Sequence, residues 1–205
     1  MHHIVADGWS IGSCLHEMAG LYKTFDQGKP YLLPEPELQY ADYARWQRKA
    51  MADEKLERDL AYWKSVLEGA PGLLNLPTDK PRPAVYRYAG GKVRFTIGPE
   101  LTAGLRACGE QEKATLFMTL LAAYAGLLSR ISGLVDIVIG YPIAGRRQKE
   151  LESLIGCFVN TLVMRTDLSS DPTFRQLIAQ VRPTSAEAYE HQDLPFEKLV
   201  DEVQP

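Results

Sequence analysis

Between Gly69 and Gly90 the chain carries Pro71, Pro77, Pro81 and Pro83 together with Gly72, the clearest linker composition in its 205 residues. Proline removes a backbone donor and fixes φ, and glycine favours turns, so neither a long helix nor an interior strand can run through this stretch. It therefore predicts a connector, and we place a lobe boundary within residues 69–90.

The portion before the connector reads as helical. Apolar residues recur at Ile11, Leu15, Met18, Leu21, Tyr22 and Phe25, the spacing of one buried helix face, with Asp7 and Ser10 as N-cap candidates and Gly28 as a stop. Tyr43, Trp46, Ala50, Leu56, Leu60, Trp63 and Leu67 supply a second bulky face, predicting two helices that end at Gly69.

The portion after it mixes periods. Val93, Phe95 and Ile97 alternate like a strand, and Pro99 suits the first turn of a helix. Leu116 to Leu128 is apolar on nearly all sides, which predicts a buried helix, and Leu134 to Ile139 reads as an interior strand. Val159 to Arg165 reads as another strand. Phe174 to Tyr189 reads as an amphipathic helix with Pro183 in its interior, a residue that costs about 3 kcal/mol there unless the helix bends or breaks. The fold class is α/β.

Composition narrows the function. With 45% hydrophobic and 24% charged residues the chain is globular material, and a net charge of −3 with no basic stripe argues against nucleic acid as a partner. Cys14, Cys108 and Cys157 are far apart and lack CxxC spacing, so a reducing cytosol and a cytoplasmic location are expected. No run of about 18 apolar residues occurs, so no membrane partner is expected.

The sharpest local feature is His2-His3-Ile-Val-Ala-Asp7-Gly8-Trp9-Ser10, where a strand-like start meets a helix start through a glycine. An imidazole exposed at such a junction can take a proton near neutral pH or orient a nucleophile. Equally, one histidine can be structural, Asp7 a helix cap and Gly8 a turn residue. His2, His3 and Asp7 could offer metal ligands, but no further His or Cys cluster completes a set, and no metal is expected.

This stretch resembles the HHxxxDG signature of nonribosomal peptide synthetase condensation domains. Three further stretches match in the family's order: Tyr40-Ala-Asp42-Tyr43-Ala-Arg-Trp46-Gln47, Ile155-Gly156-Cys-Phe158-Val-Asn160-Thr161, and His191-Gln192-Asp193-Leu-Pro195-Phe196-Glu197. Leu76-Pro-Thr-Asp-Lys-Pro-Arg-Pro83 also resembles the family's connector between lobes.

The resemblance implies an incomplete two-lobed, chloramphenicol acetyltransferase-like fold. Residues 1–75 would form the C-terminal part of the first lobe, 76–90 the connector, and 91–205 most of the second lobe. The implied reaction joins a carrier-bound acyl or peptidyl thioester to a carrier-bound aminoacyl amine. Partners would be donor and acceptor peptidyl carrier proteins and a neighbouring adenylation domain. No cofactor would be bound directly, the substrates arriving on phosphopantetheine arms. His3 is the implied catalytic residue, as base or as positioner of the amine. Asp7 would pair with Arg146, Gly8 would let its backbone approach the reacting groups, His2 and Trp9 would shape the site, and Asn160 would line the channel or hold structure.

Relative to a typical member, the chain is expected to be truncated at both ends and inactive alone. The Asp-Gly-Trp-Ser version of the motif resembles the elongating, L-donor type. Rival readings are a non-catalytic carrier-docking or scaffold module, an epimerisation domain of the same fold, and a stand-alone acyltransferase. Cyclising relatives fit less well, because they replace the histidines with an aspartate-based motif.

Overall fold

The computed structural model describes all residues except 31, 32, 34, 35, 52, 53, 82–84, 86–89, 204 and 205, so much of the expected connector lies outside the described residues. Helix α1 (Gly8–Asp26) starts at Asp7, whose side chain accepts from Ser10 N at 2.8 Å, and Gly28 follows its end with φ +64°. Helices α2 (Tyr40–Ala50) and α3 (Glu54–Leu67) come next, and Gly69 has φ +66° just beyond α3. Then come α4 (Pro99–Gln111), with Pro99 in its first turn, and α5 (Leu116–Ser132), capped by Thr115 and closed by Gly133 at φ +74°. Strands β1 (Asp136–Ile143) and β2 (Asn160–Asp167) pair, and α6 (Phe174–Glu190) and α7 (Phe196–Val203) complete the chain. Leu168 N donates to Val135 O at 2.6 Å, joining the end of β2 to the start of β1, so the strands run antiparallel.

Contacts group these elements into two compact units. The first gathers Met1–Ser65, Tyr141–Leu162 and the residues from His191 through α7; the second gathers Val66–Gly140 and Val163–Glu190. In the first, Leu151, Leu154 and Phe158 pack with Tyr40 and Tyr43. In the second, Ala125, Leu128 and Ile137 pack with Leu74, Leu134, Ile139 and Leu168. Arg165 forks onto Asp136 there and also donates to the carbonyls of Val66 and Glu68, closing the end of α3.

Four expectations are corrected. The face of α1 expected to be buried is exposed at Leu15, Met18, Tyr22 and Phe25, because nothing among the described residues covers it, and Ser10 is the one buried residue of this helix. Val93 and Phe95 do not lie in a strand: among the described residues only β1 and β2 pair, and these two side chains are 91% and 83% exposed. Alternation marks a strand only where a neighbouring backbone completes the ladder. Helix α5 buries Leu121, Ala122, Ala125 and Leu128 but leaves Leu120, Tyr124, Leu127 and Ile131 exposed, so it covers one face rather than all sides. Strand β1 fully buries Ile137 while Val135, just before it, is half exposed, because β1 has one described neighbour and not two.

Pro183 does not break α6, which is helical from Phe174 to Glu190. Its missing N–H leaves the preceding turn short of a donor, and in the next position Thr184 Oγ1 donates to Gln180 O at 3.0 Å. No single helix among the described residues is long and apolar enough to cross a membrane.

Candidate active site

All four matched stretches meet in the first unit. The start of α1 is held by a buried polar cluster built on Asp7, Ser10, Arg146 and the Gly156–Phe158 loop. Asp7 Oδ1 accepts from Ser10 N, and its Oδ2 from Phe158 N at 3.0 Å. Arg146 Nη2 lies 3.1 Å from Asp7 Oδ1 and donates to Ser10 Oγ at 2.7 Å; Nη1 donates to Leu154 O at 2.8 Å and to Leu151 O. Ser10 Oγ also donates to Gly156 O at 2.8 Å and accepts from Gly156 N at 3.0 Å, which exhausts its capacity. Asp7 N donates to the same Gly156 carbonyl at 3.1 Å. Phe158 stacks under the arginine, its ring centre 4.0 Å from the guanidinium carbon.

Electrostatics follow from this geometry. Burial alone would raise the Asp7 carboxyl, but hydrogen bonds from Ser10 and Phe158 and the charge of Arg146 outweigh it and hold Asp7 below the usual carboxylate range. Four of the five Arg146 donors are used; its Nε is buried with no partner among the described residues.

The histidines precede this anchor in a short turn closed by Val5 N donating to His2 O at 3.1 Å. Both are exposed. His2 Nδ1 accepts from Ile4 N at 3.2 Å. His3 Nδ1 lies 3.5 Å from Cys157 Sγ. Gly8 is the first residue of α1, and a Cβ there would meet nothing within 4 Å, so packing among the described residues does not demand glycine. Trp9 is 48% exposed and donates from Nε1 to Glu152 O at 2.8 Å. No group of three metal-ligating side chains gathers among the described residues, and both Asp7 oxygens are occupied by donors.

Asn160 is wholly committed to backbone. Its Nδ2 donates to Gln192 O at 2.9 Å and Leu194 O at 2.8 Å, and its Oδ1 accepts from Phe196 N at 3.0 Å. It thus pins the His191–Phe196 segment to β2. Next to it His191 Nδ1 lies 2.7 Å from Asp59 Oδ1, stacks on Tyr62 at 3.9 Å, and accepts at its carbonyl from Trp63 Nε1 at 3.0 Å. A cleft of about 540 Å³ opens in this unit, lined by Tyr43, Trp46, Phe158, Lys55, Arg147 and Asp193 among others. Asp193 pairs there with Lys55 and Arg147, which offset the rise from burial and hold its carboxyl low.

Sequence reading missed several members of this assembly. Ser10 and Tyr40 lie in matched stretches, but neither the bonds of Ser10 Oγ to Arg146 and Gly156 nor that of Tyr40 Oη to Cys157 O at 2.9 Å was foreseen. Asp59 carried no mark of its partner 132 residues away.

The fold is that of solved condensation-domain structures, of the chloramphenicol acetyltransferase-like class. The chain belongs to the condensation domain family, which it matches over residues 1–205. It is 56% identical over 204 residues to one of the linear gramicidin synthase proteins of Brevibacillus parabrevis, covering 100% of this chain and 4% of that protein. Among solved structures it is similar to the X-domain from teicoplanin biosynthesis, at 31% identity and a TM-score of 0.90, covering 100% of this chain and 46% of that one. It is also similar to a four-domain nonribosomal peptide synthetase in holo form bound to AMP and glycine, at 30% identity and a TM-score of 0.86, covering 100% and 15%.

Proposed function

We propose that this chain supplies the histidine-bearing part of a condensation domain that makes one amide bond in nonribosomal peptide synthesis. The amine of a carrier-bound aminoacyl group attacks the thioester carbonyl of a carrier-bound donor; the C–N bond forms, the C–S bond breaks, and the donor's phosphopantetheine thiol leaves with the proton the amine gives up. His3 is the catalytic residue of this reading. An amine with a pKa of about 8 needs little help to deprotonate near neutrality, so holding the nucleophile in line contributes alongside proton acceptance. Asp7 and Arg146 serve by fixing the backbone from which His3 projects. Their buried, multiply bonded ion pair is the observation that carries the proposal, since it makes a rigid mount for an otherwise exposed imidazole.

The finer assignments belong to the same reading. The elongating L-donor type, the carrier proteins and adenylation domain as partners, and the lobe division at 76–90 rest on the motifs. Little or no turnover is expected from these 205 residues alone. They align with 46% of the X-domain chain, and they leave Tyr22 and Phe25 of α1 exposed as a broad apolar face.

The test is amide formation by a complete condensation domain carrying this chain, with donor and acceptor loaded on carrier proteins. His3→Ala should keep its circular dichroism spectrum and lose roughly a hundredfold or more in rate. Full activity in the folded variant would sink the assignment. The second reading is a recruitment module without chemistry, favoured by likeness to the teicoplanin X-domain, which has also been solved in complex with OxyB. It predicts that His3→Ala leaves all functions intact.

A further inference from the structure

Cys157 stands where two sets of restraints converge. Its neighbours Gly156 and Phe158 are bolted to Ser10 and Asp7, its own carbonyl accepts from Tyr40 Oη at 2.9 Å, and its Sγ lies 3.5 Å from His3 Nδ1. The loop backbone is thus fixed on both sides, and its thiol is the side chain placed against the imidazole. His3 itself sits in an exposed turn four residues before the anchor at Asp7, so without a contact its ring would sample several rotamers.

We propose that Cys157 is a positioning residue for His3, a role that rests on the amide-forming reading above. With the proton on Nδ1 directed at Sγ, a weak acceptor, the Nε2 lone pair is presented to the acceptor amine. The other tautomer would place a proton on Nε2 and make that nitrogen a donor. Cys157 therefore restrains the rotamer of His3 while touching no substrate itself.

The experiment uses a complete condensation domain carrying this chain, with Cys157→Ala and Cys157→Val as apolar replacements of different size and Cys157→Ser as a hydrogen-bonding one. Amide formation is followed with carrier-loaded substrates, and the His3 ring nitrogens by ¹⁵N NMR. Both apolar variants should lower kcat by about tenfold with KM for either loaded carrier unchanged, shift the His3 ring resonances, and recover most of the rate in Cys157→Ser. Rates within about twofold of the unmodified protein in the folded apolar variants, or His3 resonances unmoved by them, would overturn the proposal. Should His3→Ala keep full activity, the amide-forming reading fails by itself, and the nitrogen spectra still decide whether Cys157 orients the ring.

Discussion

Arg146 Nη2 and Asp7 Oδ1 meet at 3.1 Å with their side chains 1% and 0% exposed, a charge pair withdrawn from water and held in place by Ser10 and the Phe158 N–H. A buried pair contributes little net stability against an apolar substitute, but removing one member strands the other. Its value lies in defining one geometry for the turn that carries His3.

Asp7→Ala is accordingly expected to cost about 3–5 kcal/mol, because Arg146 is left buried without its counter-charge. The pH dependence carries its own sign. The folded pKa of Asp7 is lowered from 3.8, so its stabilisation is fully present above about pH 4 and is lost as pH falls through the lower folded value. Urea unfolding of the unmodified protein and of Asp7→Asn at pH 7 and pH 3 should therefore show a gap that narrows in acid. A gap of constant size would mean that the carboxylate charge is not what holds the cluster.

How much of this was legible in the sequence depended on range. The helices α1, α2 and α3 were readable because helical period is a local property, and Asp7 could be named as a cap from its position alone; whether a neighbour covers the apolar face of α1 is not local, and that face is exposed. The strand expected at Val93 to Ile97 failed because a ladder partner is a non-local fact. The single-face burial of α5 failed for the same reason: an all-apolar sequence says nothing about how many neighbours arrive. At the site, motif resemblance paired Asp7 with Arg146, yet Tyr40 on Cys157, Asp59 on His191 and the thiol beside His3 join residues 117, 132 and 154 positions apart. No periodicity encodes such contacts.

Asn160 separates a structural amide from a substrate-binding one. Two carbonyls and one N–H of the Gln192–Phe196 segment are satisfied by its side chain, so Asn160→Ala leaves part-buried backbone groups without these bonds, at about 1–3 kcal/mol. Asn160→Asp should be worse, since a carboxylate would face two carbonyl oxygens. Thermal unfolding is expected to drop for both, with KM for loaded carriers unchanged in whatever fraction stays folded. A raised KM at unchanged Tm would instead place this amide on the substrate.

Gly145, immediately before Arg146, tests whether the mount depends on backbone shape. It has φ +66°, and a Cβ there would lie 1.9 Å from Phe158 O, inside the loop that also donates to Asp7. Gly145→Ala must therefore both accept a left-handed conformation, at about 1–2 kcal/mol, and push that carbonyl away. Gly104, within α4, has no positive φ, and a methyl added there would meet nothing within 4 Å, so Gly104→Ala should stabilise by about 0.5–1 kcal/mol through helix propensity. Calorimetry on the pair should show Tm moving in opposite directions. The loss in Gly145→Ala should come with displaced His3 resonances, because the Phe158 loop that clashes with the new methyl also carries Cys157. A Gly145→Ala protein of unchanged Tm would show that the loop yields freely and that the fixed mount inferred for His3 does not exist.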